Sequence, residues 1–174
     1  MPLPDIQKRA VIWLDNKQIS GQGRIPCGED KYMEKAEYKL VDNALTAEDF
    51  IRLKVATGFL NRPLEQADKA IKNGLFNVSA VCDGKVIGMG RLVGDGAMYW
   101  YLQEIIVLPE YQGKGIGKAI VNRLLEHIKC SAIPGTGISV GLTAVKGKEP
   151  FYEKFGFVCG SSGMSKWIEI EGNI

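Results

Sequence analysis

The spacing of apolar residues changes several times along the chain, and each change marks a predicted strand or helix. Apolar side chains alternate over residues 76–82, which predicts a strand. The Asp83-Gly84 dipeptide that follows is typical of a tight hairpin leading into a second strand over 85–93. Residues 97–108 form a nearly continuous apolar run, which predicts a central strand covered on both faces.

Two helices are predicted between the first strand and this hairpin, and residues at their ends help to place them. Thr46, with Asp49 three residues later, forms a weakened capping box and predicts a helix start. Pro63 suits the first turn of a second helix, because its missing N–H has no helical partner at that position. Asn73-Gly74 then predicts the end of this helix.

A third helix is predicted from residue 115 to about 129, and a short fourth one spans about 148–155. The third helix is amphipathic, since one face carries only apolar side chains. These residues are Ile116, Ile120, Val121, Leu124, Leu125 and Ile128. The helix is therefore expected to pack against the sheet.

Strands at residues 37–41 and 138–144, with a closing hairpin formed by 157–159 and 164–170, complete the predicted elements. The resulting order is β-α-α-β-β-β-α-β-α-β-β. Because strands and helices are intermixed, this order predicts a mixed α/β (α+β) sheet flanked by helices.

The chain divides into a polar N-terminal extension, residues 1–35, and one predicted domain, residues 36–174. A short apolar stretch in the extension could form a small hairpin or stay flexible. A hairpin alone is only marginally stable, so it would need to pack on another surface. A chain of 174 residues otherwise suits a single domain with a sizeable core.

Composition and charge argue against several function classes. The net charge is only +2 and Lys and Arg are spread along the chain, so there is no electrostatic case for a nucleic acid or membrane partner. Four scattered cysteines and the single histidine, His127, argue against a Cys/His zinc site or a Ser-His triad, and we expect no metal. Without a leader pattern or an 18-residue apolar run, the protein is expected to be cytoplasmic.

The segment from Val107 to Lys118, with the sequence VLPEYQGKGIGK, predicts a phosphate-binding turn. An apolar strand runs into a glycine-rich turn and a helix start, where unpaired backbone N–H groups and the helix dipole favour an anion. The spacing does not fit a Rossmann fingerprint, because Lys118 stands where the third glycine belongs. It does not fit a P-loop either, because Gly113 and Gly117 are one residue too close and Ala119 replaces the hydroxyl residue.

The residues Gln112-x-x-Gly115-x-Gly117 instead resemble the acetyl-CoA signature of the GCN5-related N-acetyltransferase (GNAT) superfamily. A second segment, Phe151 to Phe157 with the sequence FYEKFGF, is similar to the F-Y-x-K-x-G-F pattern near the C-terminus of that family. Both motifs occur in the family order, and the resemblance covers roughly residues 36–170. It implies a GNAT-like acyl-CoA N-acyltransferase fold that binds acetyl-CoA.

The resemblance also implies which residues would bind acetyl-CoA. The strand before the turn would hydrogen-bond the pantetheine arm through its backbone, and the turn would hold the pyrophosphate. The candidate residues are Ile105, Ile106, Val107, Gln112, Gly113, Lys114, Gly115, Ile116, Gly117 and Lys118. The side chains of the strand residues would at the same time fill the core.

Two residues are candidates for catalysis. The resemblance implies that Tyr152 donates a proton to the leaving CoA thiolate. Some family members carry a glutamate base at the position of Gln103, which cannot accept a proton. Glu104 is the neighbouring carboxylate, but strand alternation would turn it to the opposite face unless a bulge intervenes. A water chain is therefore expected to take the amine proton.

The resemblance implies transfer of an acetyl group to a primary amine by direct attack in a ternary complex. The amine would bind in a cleft between strands splayed near 103–108 and 138–144, and the first helices and loops, roughly 42–75, would select it. A small-molecule amine is the expected acceptor. A protein (lysine or N-terminal) acceptor and a non-catalytic acyl-CoA-binding module remain alternatives, and a homodimer is left open.

Overall fold

The computed structural model describes residues 38–160, which fall into two compact units, 38–143 and 144–160. The first unit contains a five-stranded sheet with the strand order β1-β2-β3-β4-β5 in its described part. The strands are β1 (Lys39–Asp42), β2 (Phe76–Cys82), β3 (Lys85–Gly94), β4 (Tyr99–Val107) and β5 (Ser139–Leu142). Its helices are α1 (Ala47–Ala56), α2 (Leu64–Lys72) and α3 (Ile116–Ser131).

The direction of the strands changes at one edge of the sheet. Strands β1 to β4 pair antiparallel with their neighbours, whereas β5 pairs parallel with β4. The β4–β5 ladder ends at the pair Leu102 and Leu142, although β4 continues to Val107. Beyond Leu102 this side of β4 has no strand partner within the described residues, as expected for splayed strands.

Helix α3 packs on one face of the sheet through five buried side chains, which are Ile116, Ile120, Val121, Leu124 and Ile128. Gly90 of β3 lies directly beneath them, because a Cβ built there would come within 2.6 Å of Ile120 and 3.0 Å of Leu124. The next residue, Arg91, therefore points to the other face, where it bonds α2. The sheet thus lies between α3 and the α1–α2 pair.

The local signals in the sequence place these helices correctly. The Thr46 hydroxyl accepts a bond from the N–H of Asp49 at 3.1 Å and caps α1. Helix α2 ends at Asn73, its C-cap, as predicted, but it begins directly after Pro63, which is the N-cap and not part of the first turn. None of the helices in residues 38–160 is long and apolar enough to cross a membrane.

The second unit contains one short helix, α4 (Glu149–Glu153), in its described part. Residues 157–159, which were predicted as a strand, pair with no strand within residues 38–160. A strand requires a paired neighbour, which an apolar tripeptide by itself does not specify. The predicted partner at 164–170 and the extension 1–35 lie outside the described residues, so those interpretations stay predictions.

His127 on α3 is held between aromatic rings of the sheet. Its imidazole stacks on Phe76 with ring centroids 3.8 Å apart, and the Trp100 ring meets it edge-on at 6.2 Å. Burial, followed by the positive charge of Arg123, lowers the pKa of His127 below its ordinary value of 6.5. The folded protein therefore favours the neutral imidazole.

We expect the burial of His127 to make stability depend on pH. Below about pH 6.5 the unfolded chain binds a proton that the folded His127 resists, so the free energy of unfolding should fall as the pH is lowered. His127→Phe keeps an aromatic ring against Phe76 and removes the titration. Urea unfolding at pH 7.5 and pH 5.5 should show a smaller pH difference in the variant, and an equal difference would contradict the assignment.

Candidate active site

Strand β4 contains a bulge at Glu104 and Ile105, next to the residues predicted to bind acetyl-CoA. Met89 pairs with Ile106 and Arg91 pairs with Gln103, so Glu104 and Ile105 together stand opposite Gly90. Glu104 has a φ of +48°, in the left-handed region. An L-residue with a side chain is uncommon in this conformation, which favours glycine.

The bulge changes which side chains share a face. Because paired residues in a ladder point to the same side, Gln103 lies with Arg91 on the α1–α2 face. Glu104 lies there too, because its carboxylate bonds the Arg91 side chain. Simple alternation, which would place Glu104 on the opposite face from Gln103, is therefore wrong at this point. The bulge is the physical reason.

Two cations hold the Glu104 carboxylate. Arg91 donates from Nε to Oε2 at 2.8 Å, and Lys54 of α1 donates from Nζ to Oε1 at 3.3 Å. The side chains of Arg91, Lys54 and Glu104 are only 7%, 14% and 18% exposed. Sequence reasoning did not identify Arg91 or Lys54, although a single arginine in the apolar strand 85–93 was an available signal.

The end of β4 presents backbone groups on the edge away from β3. The N–H of Leu108 donates to Ile87 of β3 at 2.9 Å, so the alternate residue Val107 directs its polar groups to the other edge. There the side-chain amide of Gln112 donates to the Val107 carbonyl at 2.9 Å. Gln112 therefore ties the glycine turn to the strand that precedes it.

The turn itself requires glycine for its backbone conformation. Gly113 has a φ of +76° and Gly115 a φ of +83°, and a Cβ built on either would meet nothing within 4 Å. No protein atom therefore fills the space where a side chain of either residue would lie. Gly117 lies inside the first turn of α3 and has no positive φ, so its backbone conformation does not require glycine.

The start of α3 has the features of an anion site. Its N-cap is Gly115, which offers no side-chain cap to the first N–H groups. The first turn contains no acidic residue but does contain Lys118, a charge that the helix dipole disfavours there. Lys118 is exposed, and Lys114 lies over the Tyr111 ring with Nζ 5.2 Å from the centroid. An anion at this position would offset both positive charges and the dipole.

Tyr152 lies on α4 in the second unit. Its ring packs edge-on against Phe151 at 4.9 Å and Phe157 at 6.2 Å between centroids. Burial raises the pKa of the Tyr152 phenol. A phenol is already protonated at neutral pH, and this burial further disfavours its charged form.

A family model described as "Acetyltransferase (GNAT) domain" matches residues 73–159. The chain belongs to the GNAT family of acetyltransferases. The match covers the turn at 113–118 and the segment around Tyr152, which are the two motifs that predicted it. The predictions of a GNAT fold and of an acetyltransferase enzyme are thereby confirmed.

Individual GNAT proteins agree with this assignment. The structure is similar to that of SA2161 from Staphylococcus aureus, described as a probable acetyltransferase, with 31% identity, a TM-score of 0.69 and coverage of 75% of this chain and 99% of that one. GNAT family protein SP0256 from Streptococcus pneumoniae gives 29% identity, a TM-score of 0.64 and coverage of 77% and 99%. The uncharacterized N-acetyltransferase ycf52 of Pyropia yezoensis is 24% identical over 143 residues, or 78% of this chain and 80% of that protein.

The first unit of this GNAT protein brings most predicted site residues together. Ile105, Ile106 and Val107 form the end of β4, and residues 112–118 form the turn directly after it. Within residues 38–160 no three His, Cys, Asp or Glu side chains are grouped so that they could hold a metal ion.

Proposed function

We propose that the protein transfers an acetyl group from acetyl-CoA to the primary amine of a small molecule, by direct attack in a ternary complex. The main support for this proposal is the order of three features along the chain. The glycine turn and the uncapped start of α3 directly follow a strand whose edge lacks a described strand partner beyond Leu102. This combination suits a ligand with an anionic group and an extended amide-bearing arm.

The residues present fit acetyl-CoA in two places. The N–H groups of residues 113–118 would hold the pyrophosphate, since the space above Gly113 and Gly115 is open. The edge of β4 at residues 105–107 would hydrogen-bond the amides of the pantetheine arm as an added strand does. When bound, acetyl-CoA supplies the acetyl group as a reactive thioester.

Tyr152 is the proposed acid. The amine nitrogen bonds to the acetyl carbonyl carbon, the C–S bond breaks, and the sulfur leaves with the electron pair. The Tyr152 phenol gives its proton to this sulfur, because a neutral thiol is a better leaving group than a thiolate. Burial keeps the Tyr152 phenol protonated until negative charge develops on the sulfur, which then draws the proton across.

Glu104 and Gln103 are proposed to orient a water chain that passes the amine proton to solvent. Both lie on the α1–α2 face, and both Glu104 oxygens already accept bonds from cations. No single carboxylate is then indispensable. Glu104→Gln should lower kcat by less than about 1000-fold, whereas a direct general base contributes about 10²–10⁴ in rate. Steady-state kinetics of the folded variant would contradict this if the loss were larger.

A second candidate is a protein acceptor, and one observation favours it. Four large apolar side chains are exposed around the α1–α2 connection, two within it and two at the adjoining ends of the helices, namely Phe59, Leu60, Val55 and Leu64. Exposed apolar side chains of this kind suit the apolar side chains of a peptide. They lie within the region that the family resemblance assigns to acceptor selection.

One assay compares these candidates. CoA release from acetyl-CoA is measured against a panel of small amines, polyamines, amino acids, aminoglycosides and lysine-containing peptides. Turnover with a small amine supports the proposal, and turnover with peptides alone supports the second candidate. CoA binding without turnover of any acceptor would indicate a non-catalytic acyl-CoA-binding module.

A cytoplasmic location stays part of the proposal, to be tested by cell fractionation. Light scattering decides between a monomer and a homodimer.

A further inference from the structure

We propose that Arg91 is a positioning residue of the acetyltransferase, which holds the Glu104 carboxylate at the β4 bulge and links it to helix α2. This inference rests on the proposed function, in which Glu104 belongs to the proton path. Arg91 acts through Glu104 and is not itself expected to touch either substrate.

The guanidinium group of Arg91 has two partners on different elements. Its Nε donates to Glu104 at 2.8 Å, and its Nη1 donates to the carbonyl of Ala70 in the last turn of α2 at 2.6 Å. The negative end of the α2 dipole therefore also faces this cation. The planar fork of arginine makes both bonds at once, which the single ammonium group of lysine cannot match in geometry.

Glu104 needs such a partner because its backbone is strained. A φ of +48° costs an L-residue energy that a glycine would not lose. The presence of a carboxylate at this position therefore indicates a use for the side chain itself. Bonds from Arg91 and Lys54 hold the side chain in one place and offset the strain.

Phe50 of α1 packs against both cations that bond Glu104. The Arg91 guanidinium lies 5.3 Å and the Lys54 ammonium 5.2 Å from the centroid of its ring, and Phe50 is 3% exposed. The ring face attracts both cations and excludes water from one side. Helices α1 and α2 are thus connected to the bulge by charged groups as well as by core packing. A shift of either helix would move the carboxylate.

A double-mutant cycle on kcat tests this role. We expect Arg91→Met to lower kcat roughly 10- to 100-fold, since misplacing a reacting group by about 1 Å has an effect of this size. The Michaelis constant for acetyl-CoA should change less than about twofold, because its proposed contacts lie at residues 105–107 and 113–118. In the Glu104→Gln background the Arg91→Met change should lower kcat little further, because the group that it positions is already altered.

Two other variants keep the test decisive. If Arg91→Met does not fold, Arg91→Lys retains the charge and should recover only part of the wild-type kcat, because it cannot bond Glu104 and Ala70 together. Arg123→Met removes another arginine with two carboxylate partners, Asp42 and Glu126, outside the site, and should leave kcat unchanged. The assay uses the full chain and the amine that gives the fastest CoA release.

The outcomes separate the two claims. Losses that multiply in the double variant, or a wild-type kcat in Arg91→Met or in Arg91→Lys, would overturn the positioning role while leaving the enzyme an acetyltransferase. A wild-type protein that neither binds CoA by calorimetry nor acetylates any acceptor would overturn the proposed function, and this inference with it.

Discussion

Gly115→Asp should weaken CoA binding at least about 100-fold, and this is one of the two largest effects that we expect. The substitution places a side chain and a negative charge beside the N–H groups that would hold the pyrophosphate. Losing two charge-assisted hydrogen bonds, at about 1.5–3 kcal/mol each, corresponds to a roughly 100-fold or greater loss of affinity. Isothermal titration calorimetry of CoA against the folded variant measures it.

Two matched variants separate charge from backbone strain. Gly115→Asn has nearly the shape of the aspartate variant and the same unfavourable φ but no charge, so it should lose less affinity. Gly135→Asp places the same charged residue at a φ of +80° with equally open surroundings, in the loop between α3 and β5. It should bind CoA like the wild type. Unchanged CoA affinity in a folded Gly115→Asp variant would disprove the pyrophosphate assignment.

Tyr152→Phe should lower turnover without loosening the fold, and it carries the second large effect. The phenylalanine ring retains the contacts with Phe151 and Phe157, so only the hydroxyl is lost. Charge develops on sulfur only as the C–S bond breaks, so the loss should appear in kcat and not in the Kd for acetyl-CoA. We expect a decrease of roughly 10- to 1000-fold, smaller where water can replace the phenol.

The control for this experiment is Tyr99→Phe, which removes a phenol oxygen from a side chain that is 63% exposed. Its kcat should equal that of the wild type. Equal kcat values for wild type and Tyr152→Phe would assign Tyr152 to packing alone. Measuring kcat and the acetyl-CoA Kd for the three proteins distinguishes these results.

The sequence by itself determined the features that depend on neighbouring residues. Thr46 and Asp49 predict the start of α1, because a cap is a bond between residues three positions apart. The glycines at 113 and 115 predict the turn, because the ability to adopt a positive φ depends on the residue itself and not on a distant partner. The motifs that contain these glycines and Tyr152 also predicted the family.

Only the tertiary structure decided the geometry around Glu104. Alternation along β4 would place Gln103 and Glu104 on opposite faces, but the register with β3 inserts one extra residue and brings both to the same side. The partners of Glu104 come from β3 and α1, and Lys54 is 50 positions away in the chain. Residues 157–159 likewise have no strand partner within residues 38–160. A bulge, a buried ion pair and a strand each require a partner that folding brings near, and the local sequence does not specify that partner.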